Sequence, residues 1–123
     1  MEEKTKYNVE QFASDLFEVE VNIHIAHLQT TSFAEHKALD AVYKDIVDLR
    51  DRFIESYQGE YDIITGYKSF EIKEGIEPIS YLDGLCEKFE EYRETLEYGY
   101  LQQIIDDILE LFYSAKYKLK FLK

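Results

Sequence analysis

The stretch from Gly59 to Glu77 constrains this chain most. It carries three of the five glycines, shows no helical period, and separates two pairs of strongly periodic segments. Each pair is joined internally by a short link, near Thr31 and near Gly99. Short links join antiparallel neighbours, whereas a long unstructured connection inside a compact domain is unusual. A four-helix bundle whose second and third helices run parallel requires such a crossover along its full length. A helix of about 26 residues spans roughly 39 Å, and an extended crossover at about 3.3 Å per residue covers that distance. The expected fold is therefore all-α: one four-helix bundle over 1–123, with a long crossover at 59–78 between helices two and three.

The periodic segments agree with that frame. Helix one is expected over 9–30, with Phe12, Leu16, Val19, Ile23 and Ala26 at three- and four-residue spacing and Asn8 with Gln11 as its capping box. Val19, Val21, Ile23 and Ile25 also alternate as a strand would, but the helical stripe continues past them in both directions. Helix two, 33–58, opens on the box Ser32 to Glu35 and carries Leu39, Val42, Tyr43, Ile46, Leu49 and Phe53. Helix three, 79–98, starts at Pro78–Ser80 and carries Leu82, Leu85, Cys86, Phe89, Tyr92 and Leu96. Helix four, 100–121, carries Leu101, Ile104, Ile105, Ile108, Phe112 and Ala115. Lys116, Lys118, Lys120 and Lys123 complement its negative end.

The formal net charge of −12 disfavours contact with a phosphate backbone. No apolar run approaches a membrane span, and the opening Met1-Glu-Glu-Lys-Thr-Lys is not a signal peptide. A cytoplasmic location is expected, host cytoplasm if the gene is viral. The single cysteine, Cys86, excludes an intrachain disulfide and a multi-cysteine zinc site. The tyrosines at 57, 61, 67, 81, 92, 98, 100, 113 and 117 read as rim packing with hydroxyls reaching water.

Chemistry concentrates on helix two. On a wheel starting at His36, Asp40, Asp51 and Glu55 fall at roughly 40°, 60° and 100°, while the apolar set occupies roughly 220° to 300°. One imidazole and several carboxylates beside the core suit Fe(II), Mn(II) or Zn(II). His27 and His24, one turn apart on helix one, offer further nitrogen ligands, His24 being the additional one. With 26 acidic residues in the chain, some alignment arises by chance; Asp45, Asp48 and Arg50 read as ordinary solvated charges on the same helix.

The run from His27 through Phe33 and His36 to Asp40, followed by Asp51-x-x-x-Glu55, resembles the ferroxidase segment of the Dps family of miniferritins. It looks similar to small phage-type Dps-like proteins of unassigned function. The resemblance covers residues 9 to 58 and implies a metal site, iron first with zinc or manganese as alternatives. It implies that His27 faces His36, Asp40, Asp51 and Glu55 of a second copy, so that the protein is at least a dimer, and that it oxidises Fe(II). Leu28 stands where that family has Trp, the loop before His36 is shorter, and the basic N-terminal tail is missing. The expectation thus stops at a shared metal site and does not extend to a storage cage. A second hypothesis is an acidic interaction protein (phage structural component, inhibitor or DNA mimic). Its surplus acids, Asp45, Asp48, Glu90, Glu91, Glu94 and Glu97, should then cluster on one exposed face. A third is a ligand-sequestering helical oligomer with a pocket shaped by the crossover.

Overall fold

The computed structural model describes residues 7–123. Met1 to Lys6, on which the signal-peptide reading rested, lie outside the described residues. Four helices follow in order: α1 (Val9–Gln29), α2 (Phe33–Glu60), α3 (Pro78–Arg93) and α4 (Gly99–Phe121), with no strand among the described residues. The alternation at Val19–Ile25 is thus part of a helix. Its odd members Val19 and Ile23 face the core, and Val21 and Ile25 are half-buried on the outer flank.

Local signals start the helices where expected. The Asn8 side chain accepts from the Gln11 amide at 3.0 Å, and Ser32 Oγ accepts from the Glu35 amide at 3.1 Å. The Glu77 carboxylate caps α3 by accepting from the Ser80 amide at 2.9 Å, ahead of Pro78 in the first turn. Two boundaries differ from expectation. α2 continues through Gly59 to Glu60. α3 ends at Arg93 rather than near residue 98, because Glu94, Thr95 and Leu96 donate to carbonyls three residues back and tighten the chain into a turn. Gln102 Nε2 then donates to the carbonyls of Arg93 and Leu96 at 3.3 and 3.2 Å, and the Arg93 guanidinium grips Asp106 with two bonds.

α1 packs on α2 and α3, and α4 packs on the same two, so α2 and α3 occupy diagonal corners. Phe12, Leu16, Ile23, Leu39, Phe53, Phe89 and Phe112 are fully enclosed between them. The Phe12 ring lies 4.8 Å from each of Phe53, Phe89 and Tyr92, centroid to centroid.

The crossover runs alongside α1 from its start to its end. Lys68 N donates to Ser14 Oγ at 2.8 Å, Lys73 N donates to Asn22 Oδ1 at 2.9 Å, and Gln29 Nε2 donates to Glu74 at 3.0 Å. Asn22 and Ser14 are buried polar side chains on the helix flank that the crossover follows. They supply the partners that an irregular backbone lacks. Gly66 and Gly75, at φ +82° and +70°, turn the chain where residues with a Cβ are disfavoured. The chain is thereby carried to the far end of the bundle, so α3 runs parallel to α2 and antiparallel to α1. Ion pairs fix that alignment: Lys88 meets buried Asp15 at 3.3 Å, and Lys116 meets Asp83 at 2.5 Å. No helix among the described residues is long and apolar enough to cross a membrane.

Candidate functional site

All three histidines of the chain gather at the end of the bundle where α1 turns into α2. The link is short enough that His27, in the last turn of α1, lies against His36, in the second turn of α2. Their rings stack with centroids 3.7 Å apart and planes 19° from parallel. Each ring is tied to the other's backbone: His27 Nδ1 donates to the His36 carbonyl at 2.7 Å, and His36 Nδ1 donates to the His27 carbonyl at 2.8 Å.

A carbonyl only accepts, so both Nδ1 atoms carry hydrogen. Each neutral imidazole then has its lone pair at Nε2. His27 Nε2 lies 3.8 Å from Asp40 Oδ1, one turn along α2 from His36. The Asp40 carboxyl is held below the usual carboxylate range. A hydrogen bond from Lys44 at 3.1 Å does most of this, with smaller contributions from the Lys44 charge, Tyr43 and His27. His24 stacks on Tyr43 at 3.8 Å and lies 6.0 Å from His27.

Asp51 and Glu55 lie elsewhere. Eleven residues of helix separate Asp51 from Asp40, roughly 16 Å along the axis. Both are exposed; Asp51 accepts from Arg50 Nε at 3.2 Å, and Glu55 has no ion-pair partner among the described residues. One chain therefore brings together His24, His27, His36 and Asp40, and leaves Asp51 and Glu55 several turns away on the same flank of α2. Among the described residues, no group of three or more His, Cys, Asp or Glu side chains is arranged to hold a metal ion. The resemblance put His27 opposite His36 and Asp40 of a second copy; in the structure it lies against both in its own chain.

Arg50 departs from its reading as a solvated charge. It is 8% exposed, pairs with Glu20 at 2.5 Å, and lies 4.1 Å over the Phe17 ring. Its position on the wheel, beside His36 and Tyr43 on the edge facing α1, carries that signal. Tyr43 shares that edge, half-buried against the core and stacked on His24. Tyr92 is 5% exposed and packs on Phe12, so it belongs to the core and not the rim.

Comparison with known proteins corrects the kinship drawn from the histidine and carboxylate spacing. No solved structure matches the chain. An uncharacterized 14.6 kDa protein of enterobacteria phage T4, from the mobD–ri intergenic region, is 27% identical over 118 residues, covering 89% of this chain and 86% of the relative. The family that matches is not Dps or any other ferritin family. A short spacing pattern on one helix recurs among unrelated acidic helices, and here it outweighed the differences at Leu28 and in the loop. The match runs over residues 27–119, from His27 to the last turn of α4, and on it the chain belongs to DUF5856, a family of unknown function.

Proposed function

We propose that the protein binds a transition-metal ion at a site completed by a second copy of the chain. One copy would supply His27, His36 and Asp40, and the other Asp51 and Glu55. The observation that carries this reading is the pair of Nδ1–H bonds to carbonyls. A histidine that ligates a metal through Nε2 characteristically donates its other ring hydrogen to a carbonyl or carboxylate, which fixes tautomer and ring direction. His27 and His36 both have that support before any metal binds, and Asp40 lies beside one of the two lone pairs.

The spacing along α2 supports the sharing. In an antiparallel pairing of α2 with its copy, centred near Asp45 and Ile46, His36 comes opposite the copy's Glu55. In the same register Asp40 comes opposite the copy's Asp51. The flank concerned carries half-buried Phe17, Val21, Val47 and Ile54, with exposed Leu28 and Phe33 beside the histidines. Two imidazole nitrogens with three carboxylates suit iron, with zinc and manganese as alternatives. Bound iron would supply one-electron chemistry toward oxygen or peroxide, as a ferroxidase requires.

Single variants, separate and mixed, test both halves of the proposal. Air-free titration with Fe(II), and with Co(II) as a spectroscopic reporter, should give one site per chain in the parent. His36→Ala and Asp51→Asn should each lose it while keeping the helical circular dichroism. After unfolding and refolding together, the two variants should recover binding, because half of the mixed dimers' sites draw intact ligands from both chains. Loss without recovery would refute sharing, and full binding by both variants would refute the site.

The second reading is a non-enzymatic interaction protein, favoured by the lack of a three-ligand group among the described residues. The particular form that mimics DNA is disfavoured by where the acids lie. Asp45 and Asp48 stand on α2 and Glu90 and Glu91 on α3, with Glu94 just past its end, and these two helices occupy diagonal corners. Pull-down with the tagged chain from infected cells, with and without the His36→Ala change, separates the readings. An undiminished partner and no bound metal would favour the second.

A further inference from the structure

The end of the bundle opposite the histidines holds a different kind of site. There the start of α1, the ends of α2 and α3, and the α3–α4 link enclose a cleft of about 520 Å³. Its walls include the rings of Tyr7, Tyr57, Tyr61 and Tyr92, and its rim carries Glu97. A second cleft of about 430 Å³ adjoins it, sharing Tyr7, Tyr92 and Thr95 and adding Glu91. Volumes in this range suit a small organic ligand.

The rings are fixed before any ligand arrives. Tyr7 donates to buried Asp15 at 2.6 Å and packs edge-on against Tyr92, 5.6 Å between centroids. Tyr92 stacks on Phe12, and Tyr57 and Tyr61 lie 4.6 Å apart. Aromatic faces carry negative potential, and the surrounding charge has the same sign. Glu91 and Glu97 have no ion-pair partner among the described residues, whereas Lys88 and Arg93 are already engaged by Asp15 and Asp106. Helix dipoles do not reverse this, since two N-termini and two C-termini meet at this end. Burial raises the Tyr61 hydroxyl pKa first, and the charges of Glu97 and Glu60 raise it further. One cation already uses this wall: Lys88 Nζ lies 5.7 Å from the centre of the Tyr7 ring.

We propose that this cleft binds a small organic cation, an alkylammonium group held against the tyrosine faces with carboxylates at the rim. An anion is repelled by Glu91 and Glu97. A neutral apolar ligand gains the burial but neither the ring quadrupole nor the carboxylate attraction. A quaternary ammonium has no N–H to satisfy, so it can rest on ring faces without a dedicated hydrogen-bond acceptor. The inference is independent of the metal site, which lies at the other end of the molecule.

The probe is choline, set against its uncharged isostere in which carbon replaces the nitrogen. The full chain is titrated with each, following the tyrosine ring resonances by NMR. Choline should shift the Tyr57, Tyr61 and Tyr92 signals saturably, and the isostere should bind about tenfold more weakly. Tyr61→Leu should weaken choline about tenfold, and Glu97→Gln, an exposed change that leaves the packing alone, about threefold, with the isostere unaffected by Glu97→Gln. Equal affinity for the two probes would overturn the proposal, as would choline shifts that do not saturate or that ignore both substitutions.

Discussion

The paired histidines make a prediction about folding that is independent of any metal. Consider His27→Ala and His36→Ala, alone and combined, measured in the presence of a chelator. His27 is 5% exposed, so its removal deletes a buried ring, costing about 2 kcal/mol, and a hydrogen bond worth about 1 kcal/mol. The carbonyl it leaves, that of His36, keeps its intrahelical bond from Asp40 N–H, so no acceptor is orphaned. His36→Ala works differently. The His27 carbonyl lies in the last turn of α1, where intrahelical donors have run out. Losing its partner costs the bond and leaves an unsatisfied acceptor, about 2 kcal/mol together. The stacked rings add a coupling of about 1 kcal/mol, which each single variant already forfeits. The single variants then cost about 4 and 3 kcal/mol, and the double variant should lose about 6 kcal/mol rather than their sum of about 7. Urea denaturation followed by circular dichroism reads this directly, provided the slope stays constant across the four proteins. Additive losses within about 0.3 kcal/mol, or a His27→Ala cost below about 1 kcal/mol, would refute the reading of the pair as a mutual clamp.

Two further expectations rest on single residues. Burial pushes the Cys86 thiol pKa up to about 11, with Lys116 opposing it, so iodoacetamide at pH 8 should modify the native chain far more slowly than the urea-unfolded chain; equal rates would contradict the packing. The Glu77 carboxyl is held below its ordinary value of 4.5, chiefly by the Ser80 backbone N–H, so its contribution is fully present above that value and is lost as pH falls through the lowered one. Glu77→Ala should then cost about 1 kcal/mol at pH 7 and nothing in strong acid; a cost independent of pH would refute the cap as a charge effect.

The fold was legible because its determinants are local and periodic. The apolar stripes, the boxes at Asn8 and Ser32, and the length of the 59–78 connection each point to one topology. The boundary near Arg93 was not legible, since it depends on Gln102 reaching back across a turn to the Arg93 and Leu96 carbonyls, a contact that sequence alone does not show. Nor were Ser14 and Asn22. A buried polar residue in a helix signals an unusual neighbour, but only the folded chain identifies that neighbour as the crossover backbone.

The candidate site separates two kinds of information that the spacing had merged. Placing His36, Asp40, Asp51 and Glu55 on one flank is a property of a helix and survives unchanged. Kinship inferred from that spacing did not survive, because i, i+4 patterns of acids arise readily on a helix surface in a chain this acidic. What the spacing could not reveal is the reciprocal bonding of His27 and His36, which depends on a link short enough to bring the end of α1 onto the start of α2. That bonding gives the site its character. It sets both tautomers, leaves the Nε2 lone pairs free, and ties the end of α1 to the start of α2. A structural clamp and a preorganised half-site are the same arrangement here, so stability alone cannot distinguish them. The mixed-variant titration can, because a clamp acts within one chain whereas recovery of binding requires Asp51 and Glu55 from another.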